Sequence, residues 1–430
     1  TPYNKNGFEK NEVKDSIEKD TLFLSSDILF NEANIKDSAT TSLCSQINYD
    51  ENVKYNTMAV LLSPTEKLSA NNFRRQLPCL KVLMGNQYLP DNDHYKKFKY
   101  NFVENGSVKS DTADNLRDHS CSLLNIENIF KETYYTLFHF FIQDGTILEQ
   151  ANRVVLTYPN TYTPRNLMTM RNIVTQTLPA VRDVKFVSES DAVATYYMSH
   201  WVEYHDQNAD IHKDENILVY DMGAGTLDVT FLAKRYNPST GKFVLTINGK
   251  IGTGRAGNYL DYIIAKILYN KLKEDNFKKS WISTDMKAVE SEVLEARVEL
   301  KSLIKTVIKP ALSKTTKITF KIGNKSFSIM PNDILNDKLF VEFLDAVTTN
   351  IWKNLRKYVG NNEFKIDTII LSGRSLRLNQ LQERIAEFAQ KNNAQSIMLD
   401  NVISGENAGK TTDRSKTAVV EGAKTYVETY

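Results

Sequence analysis

Short bursts of apolar residues, separated by polar turns, run through most of this chain, with longer 3.6-residue periods between them. The clearest burst is Ile217 to Tyr220, an apolar run that predicts a buried strand. It ends at Asp221 and passes into a turn of small residues, Gly223, Ala224, Gly225 and Thr226. Alternation resumes at Leu227, Val229 and Phe231 with Asp228 and Thr230 between, so a second strand closes a tight hairpin. Upstream, Phe98, Tyr100 and Phe102 alternate before Asn105-Gly106, a second hairpin signal. Ile126, Ile129, Phe130, Tyr134, Leu137 and Phe141 recur at helical spacing within 112–143. A strand follows at Arg153 to Thr157, then a helix from Pro164, a strand at Lys185 to Val187, and a helix from Ala192 to about His205.

Earlier in the chain, Leu22 to Phe30 predicts a strand and residues 64–90 predict helical pieces with basic residues Arg74, Arg75 and Lys81. The polar stretch 206–215 reads as a linker between two halves. Beyond the central hairpin, a third strand is expected at Phe243 to Asn248, a flexible loop at 249–257 and a helix from Asn258 to about Leu272. Alternating strands are expected at Lys317 to Ile322 and Ser326 to Ile329, and one helix from Lys338 to Tyr358. A strand at Ile366 to Leu371, a turn at Ser372–Ser375, a helix at Leu378 to Gln390, a short strand at Ile397 to Leu399 and a helix at Ser415 to Val427 complete the pattern.

Composition changes this picture little. At 430 residues, 41% hydrophobic and 25% charged, the chain is an ordinary globular sequence of two or three domains. A formal net charge of +2 offers no electrostatic argument for nucleic acid, and no run approaches the roughly 18 apolar residues that span a bilayer. Cys44, Cys79 and Cys121 are scattered, which favours a reducing compartment and a cytoplasmic location. The chain opens at Thr1 without an initiator Met, which reads as a fragment or a processed product.

The chemistry concentrates at the central hairpin. A turn with little side chain in front of its N–H groups can close on phosphate oxygens, since glycine permits close approach and positive φ. Asp221 and Asp228 flank it and could hold a hydrated magnesium ion. The bland reading is a Gly-rich hairpin with a surface Asp. His200, His205 and His212 lie near Asp206, Asp210 and Asp214, but their spacing fits no standard metal scheme, so a solvated linker is expected. The aromatics of 134–141 are expected to be core rather than a stacking platform, and the lysine-rich faces at 271–279 and 301–317 to be solvated.

Five segments in this order resemble the actin-like ATPase superfamily, and more closely the nucleotide-binding domain of the seventy-kilodalton heat-shock chaperones, from about Tyr100 onward. Asp221-Met-Gly-Ala-Gly-Thr-Leu-Asp-Val is similar to that family's second phosphate loop, and Val154 to Tyr162 to its strand and Pro-Ala-Tyr-Phe segment. Ser188-Glu189 to Tyr196 resembles the first connecting helix, Ile369 to Arg377 the adenosine loop, and Val419 to Ala423 the second connecting helix. The resemblance implies that Gly223, Ala224, Gly225 and Thr226 contact the β- and γ-phosphates. It implies that Asp221 acts on the attacking water or on magnesium through water, with Asp228 behind it, and that Glu189 holds the metal hydration sphere across the cleft. Gly257 would lie near ribose and phosphates, Gly373 would admit adenine, and Arg377 would stack on its face. Arg297 and Glu299 fall where the family has its adenine- and ribose-contacting helix.

The chain also departs from the family pattern. No first phosphate loop precedes Tyr100, Asp144-Gly145-Thr146 is the nearest match but follows a helix, and the catalytic lysine finds no assignment. Ala224 and Arg374 replace two family glycines. Either the missing elements lie upstream, or this is a nucleotide-binding relative with little turnover.

The expected fold is thus α/β, a two-lobed actin-like ATPase (duplicated ribonuclease-H-like) fold with inserted subdomains, the first lobe lacking its opening hairpin. Lobe I would span 1–214 with an insertion at about 58–110, and lobe II 215–430 with an insertion at about 280–335. The expected function is ATP binding, with hydrolysis by an ATPase if the first loop is supplied, driving lobe rotation in a chaperone-like protein. ATP or ADP and magnesium are the expected cofactors, and protein partners or co-chaperones the expected company. The rivals are an actin-like filament protein and a pseudo-ATPase scaffold.

Overall fold

The computed structural model describes residues 152–272 and 303–429 except 179, 207, 323–324, 361–363, 406–407 and 410–412, together with 47–48, 60–61, 76–77, 81, 99–104 and 107–112. The expected strand at 22–30, the helix at 112–143, the 134–141 aromatics, Asp144–Thr146, the three cysteines, Arg297 and Glu299 lie outside the described residues.

Three two-residue strands, β1 (Ile47–Asn48), β2 (Val60–Leu61) and β3 (Gln76–Leu77), pair antiparallel in the order β2-β1-β3. Gln76–Leu77 is therefore strand, where the sequence predicts only helical pieces. The hairpin signal at Asn105-Gly106 corresponds to β4 (Lys99–Glu104) paired with β5 (Ser107–Thr112). Next come β6 (Arg153–Tyr158), α1 (Pro164–Thr177) and β7 (Asp183–Ser188), a right-sized strand–helix–strand unit whose strands pair in parallel. Thr163 and Asn166 form a reciprocal capping box and Pro164 takes the first turn, which fixes where α1 begins.

The helix α2 (Glu189–Ser199) starts directly from the end of β7, three residues earlier than its apolar pattern predicts. Ser188 is its cap, its hydroxyl accepting from the Asp191 N–H at 3.3 Å, and Glu189 and Asp191 lie in the first turn, where the helix dipole favours acids. The polar run Ser188–Asp191 is thus a helix start rather than a loop.

A five-stranded sheet organises the rest. It runs β10-β9-β8-β13-β14, with β8 (Glu215–Met222), β9 (Leu227–Asn237) and β10 (Lys242–Thr253) antiparallel, and β13 (Thr368–Ser372) and β14 (Gln395–Met398) parallel to β8 and β13 respectively. The expected loop at 249–257 is a correction: β10 continues through Thr253, bulging between Ile247 and Gly249 to stay paired with Val229 and Phe231 on β9. Between β10 and β13 lie α3 (Gly257–Leu272), the hairpin β11 (Ile318–Ile322) and β12 (Lys325–Ile329), α4 (Pro331–Leu335), α5 (Lys338–Val347) and α6 (Thr349–Val359). The single helix expected from Lys338 breaks at Thr348, whose φ of −123° and ψ of −84° are not helical. Helices α7 (Asn379–Lys391) and α8 (Arg414–Thr429) close the chain.

Both faces of the sheet are covered, which is why Ile217 to Tyr220 reads as a continuous apolar run rather than an alternating one. Leu218, Tyr220, Met222, Val229 and Phe231 point into one core with residues of α3, α5, α6 and α7. Ile217, Val219, Leu232 and Ile370 point into another with Val193, Tyr196 and Tyr197 of α2 and Ala418 of α8. Here α2 and α8 cross at Gly422, where a Cβ would fall 1.8 Å from the Ala192 carbonyl oxygen, so the two backbones touch.

At the far end of the sheet Glu215 and Lys234 are cross-strand partners on β8 and β9, their charged atoms 3.3 Å apart and their side chains 9% and 1% exposed. Lys234 also donates to the Ile211 carbonyl at 3.0 Å and lies over the rings of Trp201 and Phe243. Tyr197 and Thr368 donate to the Glu215 carboxylate. His205, half-buried, stacks on Trp201 and meets the Tyr197 hydroxyl at 2.7 Å, while His200 stacks on Tyr196 and His212 against Tyr236. His200 and His205 are half-buried against aromatic rings, whereas His212 is exposed, as are most described residues of 206–214, and among the described residues no group of three or more His, Cys, Asp or Glu could hold a metal ion.

Candidate functional site

Three strand ends meet at one corner. β8 finishes with Asp221-Met222, β9 begins at Leu227-Asp228, and β7 runs out at Ser188 so that α2 presents Glu189. Asp221 and Asp228 are directly paired across the hairpin. Both are buried, Asp228 completely, and so is Glu189.

A fourth group enters from far away in sequence. The ammonium of Lys81 forms an ion pair and hydrogen bond with Glu189 and lies within the field of Asp228 and Asp221. Burial pulls the Lys81 pKa down, but Glu189, Asp228 and Asp221 outweigh it and hold the group above the ordinary lysine range. Burial, then the neighbouring Glu189 and Asp221 carboxylates, push the Asp228 carboxyl up to about 8, against the opposing pull of Lys81 and of the Asn160 N–H. Among the described residues, Lys81, with a third of its side chain in contact with solvent, thus faces three buried carboxylates. Nothing in the local sequence marks Lys81, which was read as one basic residue among several.

The turn Gly223–Thr226 lies beside this cluster. Gly223 N–H donates to the Thr226 carbonyl at 3.0 Å. The carbonyl of Gly223 accepts from Gly257 N–H at 3.1 Å and from the Ser375 hydroxyl at 2.8 Å, and the Ala224 carbonyl accepts from Asn258 N–H at 2.7 Å. The first N–H groups of α3 are therefore spent on fastening the turn's carbonyls. Among the described residues no protein acceptor takes the N–H groups of Ala224 and Gly225, and Ala224 is exposed. Positive φ, expected of these glycines, is not used: Gly223 and Gly225 are absent from the left-handed region. What glycine provides at Gly223 is room, since a Cβ there would meet nothing closer than the Thr226 carbonyl at 3.9 Å.

Gly373, by contrast, needs its φ of +92°, and a Cβ would press to 2.4 Å from the Met222 carbonyl, so the exit of β13 lies flat on the end of β8. Arg377 follows in a short 3₁₀ turn. Its guanidinium bonds Asp400 through Nε at 2.9 Å and Nη2 at 2.7 Å, and Asp413 at 2.5 Å, leaving the side chain 43% exposed. Arg374 pairs with the same Asp413, so the arginine that replaces a glycine here is tied back to the protein. The structure thus groups Asp221, Asp228 and Glu189 with the turn Gly223, Ala224, Gly225 and Thr226, and joins Gly257 to the turn by a backbone bond; Gly373 abuts Met222 at the end of β8, and Arg377 is tied to Asp400 and Asp413.

The donor set suits a hard cation. Carboxylate oxygens dominate, and the Oδ2 of Asp228 is buried with no hydrogen-bond partner among the described residues. Asp221 and Glu189 would hold such an ion through water.

Comparison with known proteins accords with this corner. The Hsp70 protein family model matches residues 171–411, more than half of the chain, and so includes α2, the central hairpin and β13. The chaperone protein dnaK of Cyanidium caldarium is 30% identical over 203 residues, covering 45% of this chain and 30% of that relative. The chaperone protein DnaK of Mycoplasma mycoides subsp. mycoides is 27% identical over 212 residues, 47% of this chain and 34% of the relative. That of Gracilaria tenuistipitata var. liui is 24% identical over 323 residues, 73% of this chain and 46% of the relative. The chain therefore spans 30–46% of the length of these curated relatives. On the extent of the family match, the chain belongs to the Hsp70 family, within the actin-like ATPase superfamily.

Proposed function

We propose that this chain binds ATP with magnesium between two lobes, 1–214 and 215–430, and hydrolyses it to drive a change in lobe orientation in a chaperone-like protein. The single observation that carries this reading is Lys81 set against Glu189, Asp228 and Asp221 beside a turn whose Ala224 and Gly225 N–H groups have no protein acceptor among the described residues. In phosphoryl transfer the protein contributes position and charge neutralisation more than covalent chemistry. The N–H groups of Ala224 and Gly225 would receive phosphate oxygens, Asp221 would orient the attacking water, and Lys81 would offset the charge gathering on the transferred phosphoryl group. Lys81 fills the role that the sequence leaves without an assignment. Asp221 and Glu189 would hold magnesium through water, and the ion would supply charge neutralisation to the phosphates. Gly257, Gly373 and Arg377 would form the nucleoside end of the cleft, with Arg377 released from one of its two carboxylates to lie on the base.

The test is equilibrium ATP binding with and without magnesium, followed by single-turnover hydrolysis. Saturable binding at sub-millimolar ATP with measurable turnover supports the reading. Saturable binding without turnover in any conditions would favour the scaffold, and ATP-dependent sedimentation into polymers the filament. Absence of binding at millimolar ATP removes the proposal altogether.

A further inference from the structure

Three segments far apart in sequence converge on the carbonyl of Gly223. The central hairpin supplies it, the Gly257 N–H at the head of α3 donates to it at 3.1 Å, and the Ser375 hydroxyl donates to it at 2.8 Å. The approach is close enough to require glycine at 257, where a Cβ would collide with the Ser375 hydroxyl and lie 3.1 Å from the Gly223 carbonyl oxygen. The next carbonyl, that of Ala224, accepts from Asn258 N–H at 2.7 Å.

These bonds act on the back of each peptide plane. A trans peptide is rigid, and its C=O and N–H point in opposite directions. Fastening the Gly223 carbonyl therefore fixes the direction of the Ala224 N–H, and fastening the Ala224 carbonyl fixes that of the Gly225 N–H. Those are the two N–H groups of the turn with no protein acceptor among the described residues. Gly223 has no Cβ to resist rotation of the first plane, and nothing would crowd one within 3.9 Å. The direction of the Ala224 N–H thus depends on what holds the carbonyl behind it.

Of the three donors, two are backbone groups of α3 and one is a side chain. Ser375 has a single O–H to give and spends it here. Its own place is firm. It lies in the turn Arg374–Arg377, between Gly373, pressed on Met222, and Leu376, buried in the core, whose N–H closes the turn on the Gly373 carbonyl at 3.1 Å. Gln382 Nε2 donates to the Leu376 carbonyl at 3.0 Å, while Arg374 and Arg377 of the same turn pair with Asp413.

We propose that Ser375 is a positioning residue for the phosphate turn: its hydroxyl locks the Gly223–Ala224 peptide so that the Ala224 N–H faces incoming phosphate oxygens. It acts through that peptide, keeping a donor aimed in advance at the place where charge develops. The kinetic consequence rests on the nucleotide reading above; the orientation of the peptide does not.

The experiment exploits the sequence, in which Gly-Ala occurs twice, at Gly223–Ala224 and at Gly422–Ala423. In nucleotide-free protein carrying ¹³C-carbonyl glycine and ¹⁵N-alanine, a carbonyl-to-amide correlation spectrum holds one peak for each pair, and Ala224→Ser assigns them by removing one. Ser375→Ala is expected to move the Gly223–Ala224 peak and to leave that of Gly422–Ala423, in α8, in place. Ser375→Thr, which keeps the hydroxyl, is expected to restore the wild-type position. Single-turnover ATP hydrolysis should fall about tenfold in Ser375→Ala, the effect of one lost hydrogen bond, and stay within about twofold of wild type in Ser375→Thr. An unmoved Gly223–Ala224 peak in Ser375→Ala, or movement of both peaks together, would overturn the proposal. So would a moved peak with unchanged turnover, since the lock would then serve the fold alone, and Ser375→Thr behaving like Ser375→Ala would trace the effect to packing. If wild type neither binds nor hydrolyses ATP, a moved peak that Ser375→Thr restores upholds the lock and refutes the nucleotide reading alone.

Discussion

Replacing Lys81 with Ala tests the site at its most exposed assumption. Among the described residues the cluster sets Glu189, Asp221 and Asp228 against the Lys81 ammonium, so the substitution would leave three carboxylates facing incoming phosphates. A unit charge at about 4 Å is worth about 4 kcal/mol at an effective dielectric of about 20. Lys81 keeps a third of its side chain in contact with solvent, which trims that figure through screening. A loss of about 3 kcal/mol of transition-state stabilisation, or about 100- to 1,000-fold in single-turnover rate, is therefore expected, in the range found on removing one oxyanion donor. ATP affinity should change much less, since the ammonium already has Glu189 as a partner before nucleotide arrives. Rapid-quench measurement of ATP hydrolysis at saturating nucleotide separates the two quantities. Turnover within threefold of wild type would refute the role assigned to Lys81 and with it the carboxylate cluster as the chemical centre.

Three further outcomes follow from the same geometry. Asp228 has a folded-state pKa above its unfolded value, so the native state holds the extra proton, and stability should be fullest near pH 4 and decline as pH rises toward about 8. Urea midpoints for Asp228→Asn should show a flatter decline across that window, and an unchanged slope would contradict the burial argument. Lys234→Met should cost about 3–5 kcal/mol by stranding Glu215 in the interior, and adding Glu215→Gln should restore much of it; a loss below about 1 kcal/mol in the single variant would mean the pair is hydrated. Gly422→Ala should destabilise by about 2 kcal/mol or more, read from thermal or urea unfolding, because its methyl has no room beside the Ala192 carbonyl, and a neutral result would show that α2 and α8 do not touch.

The central hairpin was legible because both covered faces of the sheet leave an uninterrupted apolar run, Ile217 to Tyr220, bounded by an acid and a turn of small residues. Two of the boundaries that moved did so for tertiary reasons. Polar Ser188–Asp191 looks like a lead-in, yet Ser188 is the cap and the acids are first-turn residues of α2. Glycine-rich 249–253 looks like loop, yet the pairing offered by Val229 and Phe231 carries β10 through it. The break at Thr348 leaves no mark, since apolar spacing continues across it. Of the site, the acids and the turn could be read from one stretch and from the resemblance it carries. Lys81 could not: three buried carboxylates require a cation, but only the folded chain says which of 54 basic residues supplies it.

Where α2 and α8 touch at Ala192 and Gly422, any rotation of the two helices against each other would pivot close to Glu189. Glu189 lies three residues from that point, about 4.5 Å along the helix axis, whereas Ser199 and Thr429 lie seven residues away, about 10.5 Å. A swivel on the order of 15° about the contact would carry Glu189 through only about 1 Å while the helix tips sweep about 3 Å. By helix length alone, coarse movement at the tips would become fine adjustment at the carboxylate, and about 1 Å is the scale on which catalytic alignment is won or lost.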